Sequence, residues 1–197
     1  MGELPFSRDF VFPSDNFPDN GFQPSSRLRS PLVLIVIFMS LFVIMQFGWS
    51  NARSTWVERL VIDEMTVKPA AWLIARITPE IPVQAIGTHI KAPGGGINIL
   101  NGCDGMDVIF LLVAAMLIAP IPSQWRLLGA LIGSGVIFIC NQARILALFY
   151  SYRIDRPLFD LLHGMIAPIL LILIATGFYV LWLGRYRGEP VSSTAAR

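Results

Sequence analysis

Three stretches of this chain are too long and too poor in charge to be left in water. Pro31 to Trp49 and Gly164 to Leu183 hold no charged residue, and Leu127 to Tyr150 holds one, Arg144. About 20 helical residues at ~1.5 Å each cross the ~30 Å hydrocarbon core of a bilayer, so each run reads as a spanning helix. Composition agrees. Of 197 residues, 54% are hydrophobic and only 14% charged, with mean hydropathy +0.62, where soluble domains carry about a quarter charged residues.

A fourth run, Val108 to Ile121, is shorter and ends in the breaker PIPS. A stretch of that length also suits a buried or re-entrant helix. Met106 and Asp107 can lengthen it, and the connection to the next run is tight, so it is read as a crossing. The expected fold is an all-α integral membrane bundle of about four transmembrane helices. Basic residues near the helix ends orient it. Arg27, Arg29, Arg126, Arg185 and Arg187 mark one side as cytoplasmic, against Arg53, Arg153 and Arg156 on the other.

Between the first two runs lies an outward-facing cap, about residues 51–105. STWVERLVIDEMTVK mixes apolar and charged positions as an interfacial helix does, and Pro69 starts a second piece, PAAWLIARI. VQAIGTHI, KAPGGG and INILNG then read as strand, turn, strand: a short β-hairpin. Residues 1–29, rich in Pro, Ser, Asn, Asp and Phe, read as a flexible cytoplasmic tail rather than a signal peptide. Residues 30–184 form the transmembrane domain, and 185–197 a second cytoplasmic tail. The +2 net charge is too small for a nucleic-acid surface. Two cysteines supply neither a disulfide framework nor a metal motif, and no metal or cofactor is expected.

Chemistry gathers at the outer face. Cys103, between Gly102 and Gly105 and beside Asp104, stands at the start of the second run; Arg144 lies roughly 9 Å below the outer end of the third; His163 opens the fourth. An arginine inside a spanning helix costs roughly 2.5–3.5 kcal/mol on insertion scales, so it turns inward to a partner or snorkels to the headgroups. Asn141 shares its helix face. Taken singly, His163 also reads as a polar helix end and Cys103 as a small apolar filler. Together they supply a thiol, a base and a cation at one depth. Helix N-termini lower thiol pKa values, whereas Asp104 and Asp107 oppose this, so the thiol needs a basic partner. Cys140, deeper and among apolar residues, reads as packing, and His89 as a surface residue.

The ordered set NGCDG (101–105), NQARI (141–145) and LLHG (161–164) resembles the exosortase/archaeosortase family over about Pro31 to Leu183, leaving out only the tails. The short length and NGC-x-G form look most like the exosortase H branch, whose expected substrates end in an IPTL-type tail. Asp104 departs from the aliphatic or small residue common after the family cysteine. The resemblance implies a cysteine peptidase or transpeptidase of the bacterial inner membrane, its site facing the periplasmic side. Cys103 would be the nucleophile, His163 the general base and acid, and Arg144 the stabiliser, supported by Asn141, Asn101, Gly102 and Gly105. Its substrates would be exported proteins with a C-terminal motif, hydrophobic helix and basic tail. Two other classes compete: a membrane thiol oxidoreductase pairing Cys103 with Cys140, which needs Cα atoms within about 7 Å, and a non-catalytic membrane assembly protein. Transport is poorly supported without repeat symmetry.

Overall fold

The structure, a computed structural model, describes residues 30–99 and 102–187. Both tails beyond these limits, and Asn101 of the NGCDG motif, lie outside the described residues.

Helix α1 (Pro31–Ala52) opens on a proline in its first turn, where the missing N–H costs nothing. A helical stretch follows: α2 (Trp56–Glu58), a π-helical segment Arg59–Val67 and α3 (Lys68–Ile77). Strands β1 (Gln84–Ile86), β2 (His89–Lys91) and β3 (Ile97–Asn98) come next, then α4 (Met106–Ile118) and α5 (Ser123–Ile154). The last helix runs through α6 (Arg156–Leu161), a second π-helical segment Leu162–Ile166 and α7 (Ala167–Arg187).

Three of these helices are long and apolar enough to cross a membrane: Pro31–Ala52, Ser123–Ile154 and Arg156–Arg185. The fourth run forms only 13 helical residues, Met106–Ile118, which reach about 20 Å. Arg126 extends its ordering, donating from Nε to the Ile121 carbonyl (2.6 Å) and from its terminal nitrogen to the Leu117 carbonyl (2.9 Å). The Leu117 carbonyl is one that the end of α4 leaves without a helical partner, and Ile121 lies in the connection that follows.

The cap differs from the sequence expectation in its strands. VQAIGTHI is not one strand but two, because Gly87 takes φ +54° and turns the chain between β1 and β2. The result is a three-stranded antiparallel sheet in the order β1-β2-β3. Pro69 stands in the first turn of α3, in keeping with its place at the head of PAAWLIARI, and the chain enters α3 directly from the π-helical segment. Proline removes a donor and clashes with the carbonyl four residues back. Here that is Met65, inside the π-helical segment, and its carbonyl instead accepts from Gln142 Nε2 at 3.5 Å. The same arrangement recurs at Pro168, two residues after the second π-helical segment.

A second correction concerns the link after α5. The sequence places His163 at the opening of the last helix. Instead α5 runs to Ile154, α6 starts at Arg156, and only Asp155 is extended. His163 therefore sits about two turns inside a helix rather than at its tip.

Two apolar clusters hold the elements together. One packs the cap (Ile62, Val67, Ile74, Ile90, Ile97, Ile99) onto Trp49, Phe110, Ile145 and Phe149. The other joins α4, α5 and α7 through Leu112, Met116, Ala130, Ile137 and Ala175. Glycine lets α5 and α7 close. A Cβ on Gly133 would meet Phe178 at 2.7 Å, and one on Gly129 would meet Trp182 at 2.6 Å.

Candidate active site

The turn before α4 is shaped by two glycines in the left-handed region, Gly102 (φ +83°) and Gly105 (φ +79°). An L side chain is strained there. The Asp104 side chain accepts from the Met106 N–H at 3.2 Å, tightening the entry to α4. So folded, the turn presents two successive carbonyls to α5. Asn141 Nδ2 donates to the Cys103 carbonyl at 3.1 Å, and an Arg144 terminal nitrogen donates to the Gly102 carbonyl at 3.0 Å. The approach is close: a Cβ on Gly105 would lie 2.9 Å from Asn141 Cγ. Asn141 and Arg144 are both buried and one turn apart on α5, so one helix face fixes the turn at two points.

The second terminal nitrogen of Arg144 lies 4.0 Å from Cys103 Sγ. Its Nε is buried and without a partner among the described residues. On the other side of the sulfur stands His163, with Nδ1 at 3.4 Å and Nε2 at 3.9 Å. The imidazole is exposed at the mouth of the site, whereas Cys103 is buried. Phe159, one turn earlier, stacks on the His163 ring at 5.4 Å and 5°. Tyr152 meets Phe159 edge-on at 5.3 Å, and Arg156 lies over the Tyr152 ring at 3.7 Å while donating to its hydroxyl.

A cleft of about 270 Å³ opens beside the thiol. Gly96, Ile97, Asn98 and Ile99 form one wall, and Ile145, Leu148, Tyr152, Phe159 and His163 the other. The cap is tied over it by Arg153, which donates to the Pro93 carbonyl at 2.7 Å.

Burial pushes the Cys103 thiol above its ordinary range; Arg144 pulls it down and Asp104 pushes it further up. The sequence sets the helix N-terminus against Asp104 and Asp107; burial of the sulfur decides the balance in favour of the thiol. At rest the thiol keeps its proton, and a base in contact must take it. Burial likewise raises the Asp104 carboxyl, against the Met106 N–H bond and reinforced by Asp107. Asp107 itself accepts from Gln46 Nε2 of α1 at 2.8 Å.

The structure thus gathers Cys103, Arg144, His163, Asn141, Gly102 and Gly105 in one place. Cys140 is half-buried, and both cysteines are free thiols. His89, on β2 with Nδ1 3.3 Å from Thr88 Oγ1, is not among the residues lining the cleft. Sequence reasoning missed Phe159, Tyr152 and the β3 wall. The i,i+4 spacing of Phe159 and His163 was the available signal for the first. In comparisons with known proteins, no family model, curated protein or solved structure matches the chain.

Proposed function

We propose that this chain is a membrane-embedded cysteine peptidase or transpeptidase of the exosortase type. The observation that carries the reading is the sulfur's position, 3.4 Å from an imidazole nitrogen and 4.0 Å from a buried guanidinium.

A raised thiol pKa makes attack dependent on proton removal, and among the described residues the imidazole is the base in contact with the sulfur. As the Cys103 S–H proton passes to His163, sulfur bonds to a peptide carbonyl carbon and negative charge moves to the carbonyl oxygen. Arg144 has donor capacity to spare for that charge, because one terminal nitrogen already holds the turn and Nε is unpartnered. The C–N bond then breaks, and His163 returns its proton to the leaving amine. A thioester remains on Cys103. Water attacking it completes hydrolysis; an amine attacking it completes transpeptidation. In either case the attacking group gives up a proton through His163 and the thiol is regenerated.

The substrate is an exported protein anchored by a C-terminal motif, hydrophobic helix and basic end. In this reading α4 counts as a fourth crossing, joined to α5 by a connection that Arg126 pins. Both termini and that connection face the cytoplasm, and the cleft faces the outer side of a bacterial inner membrane. The apolar surfaces of α4 and α7 are the lateral approach for the substrate's helix.

The test is replacement of Cys103 by Ala in cells. Proteins bearing such tails should accumulate uncleaved while the variant is retained in the membrane at normal levels. Normal maturation in the Cys103→Ala strain would overturn the reading.

A further inference from the structure

The wall of the cleft opposite α5 is the β3 segment. Gly96, Ile97, Asn98 and Ile99 all line it, yet side chains of successive strand residues point to opposite faces. Asn98 and its two neighbours lining one cleft places the edge of β3 at that cleft. That edge is unpaired within the sheet, because β3 is the last strand in the order β1-β2-β3.

The register shows which groups face outward. His89 opposes Asn98 and Ile90 opposes Ile97. The Ile99 N–H donates to the Thr88 carbonyl at 2.8 Å. In an antiparallel ladder, directly opposed residues alternate between hydrogen-bonded and non-hydrogen-bonded pairs. With 88–99 and 90–97 bonded, 89–98 is the non-bonded pair, so the Asn98 N–H and C=O point away from β2. Among the described residues neither group has a backbone partner outside the sheet. The Asn98 side chain is engaged elsewhere, accepting from Thr88 Oγ1 at 2.8 Å. The outward edge thus offers one donor and one acceptor in the spacing of a strand, within the cleft that holds Cys103 Sγ.

We infer that the chain being cleaved binds extended, as a fourth strand paired with Asn98 on the free edge of β3. This rests on the reading of Cys103 as the nucleophile and adds how the peptide is held. Its occupant is a peptide in β conformation, because only an extended backbone supplies a C=O and an N–H in the order the edge requires. The cleft is smaller than the ~300–1,000 Å³ of pockets that enclose whole small ligands, and suits a few residues of strand. Recognition through main-chain bonds tolerates varied side chains, leaving side-chain choice to the α5 and α6 wall.

The test uses the full chain in lipid nanodiscs and two electrophiles that alkylate Cys103, acetyl-trialanyl chloromethyl ketone and chloroacetamide. In each, sulfur displaces chloride, an S–C bond replacing C–Cl, and the thiol proton passes to His163. Rates are divided by those measured with free glutathione. The tripeptidyl probe should react at least about tenfold faster than chloroacetamide, since one tenfold step corresponds to ~1.4 kcal/mol, about one or two hydrogen bonds. Methylating the amide nitrogen of each alanine in turn should remove that advantage at one position. Asn98→Pro, which deletes the outward N–H and no backbone β2–β3 bond, should lower the ratio of the two rates about tenfold, while Asn98→Ala, which loses only the side-chain bond from Thr88, should leave it unchanged. If all three methylated probes keep the advantage, the edge proposal fails while the nucleophile stands, and this holds even if Asn98→Pro does not fold. If chloroacetamide leaves Cys103 unmodified, the nucleophile reading falls and the edge proposal with it.

Discussion

Asn141 of α5 donates through Nδ2 to the backbone carbonyl of Cys103 at 3.1 Å. One buried amide therefore sets where the Cys103 turn sits relative to the helix that carries Arg144. Replacing Asn141 with Ala leaves that carbonyl unpaired in a buried setting, a cost of about 1–3 kcal/mol. The account expects a lower unfolding temperature in nanodiscs, together with loss of peptidase activity greater than the loss of folded protein. Equal losses of both would reduce Asn141 to a packing residue.

Gly105→Ala should damage the same junction from the other side. Its φ is +79°, and the new Cβ would lie 2.9 Å from Asn141 Cγ. Strain of this kind costs on the order of 1–3 kcal/mol. Gly177→Ala, where nothing lies within 4 Å, should be neutral or slightly stabilising in the same thermal assay.

The thiol's pH behaviour follows from its burial. Alkylation of Cys103 by iodoacetamide should show a midpoint above the ~8.5 of an ordinary cysteine. Arg144 lowers the thiol's pKa and Asp104 raises it, so Arg144→Gln should move the midpoint up and Asp104→Asn should move it down. Linkage has a definite sign here: the folded state holds the proton more tightly than the unfolded chain. This contribution to stability is full below the unfolded pKa and disappears as pH rises through the folded value. A midpoint below 8.5 would contradict the role given to desolvation.

Arg144→Lys keeps the charge but not the fork. A single ammonium cannot both hold the Gly102 carbonyl and serve the sulfur side, tasks now divided between two terminal nitrogens 3.0 and 4.0 Å from their partners. Activity should fall by about 10²–10³, the usual cost of losing one oxyanion donor. Activity within about threefold of the parent would remove Arg144 from the chemistry.

Much of the architecture could be read from the sequence because hydrophobic length is a strong signal: α1, α5 and α7 lie where the long apolar runs are. The helix after Ile154 was harder. Nothing in RPLFDLLHG announces that only Asp155 breaks the chain, or that Leu162–Ile166 takes a π-helical course before Pro168. Cys103, Arg144 and His163 stood out as reactive residue types in polar or costly positions. The Phe159 stack, the pairing of Asn141 with a carbonyl, and the free edge of β3 depend on helix phase and strand register. A single sequence does not display these. The direction of the thiol's pKa shift was open at the level of sequence for a related reason: how deeply a cap covers one sulfur is a tertiary property.

Pro168 offers a test of how the imidazole is aimed. The π-helical segment that carries His163 ends just before it, as the first one ends just before Lys68–Pro69. Pro168→Ala restores the missing donor and allows an ordinary α-helical register, which would rotate His163 away from the sulfur. Folded stability should hold or rise while turnover falls about tenfold or more. Unchanged turnover would show that the π-helical course is incidental to the site.

The most direct measurement is capture of the covalent intermediate. The protein is taken from its own cells, quenched in acid and digested, and the peptide containing Cys103 is examined by mass spectrometry before and after neutral hydroxylamine. The account predicts an acyl adduct on Cys103 that hydroxylamine releases as a peptide hydroxamate, and that is missing from the His163→Ala variant. An unmodified Cys103 in cells that are processing tail-bearing proteins at a normal rate would contradict it.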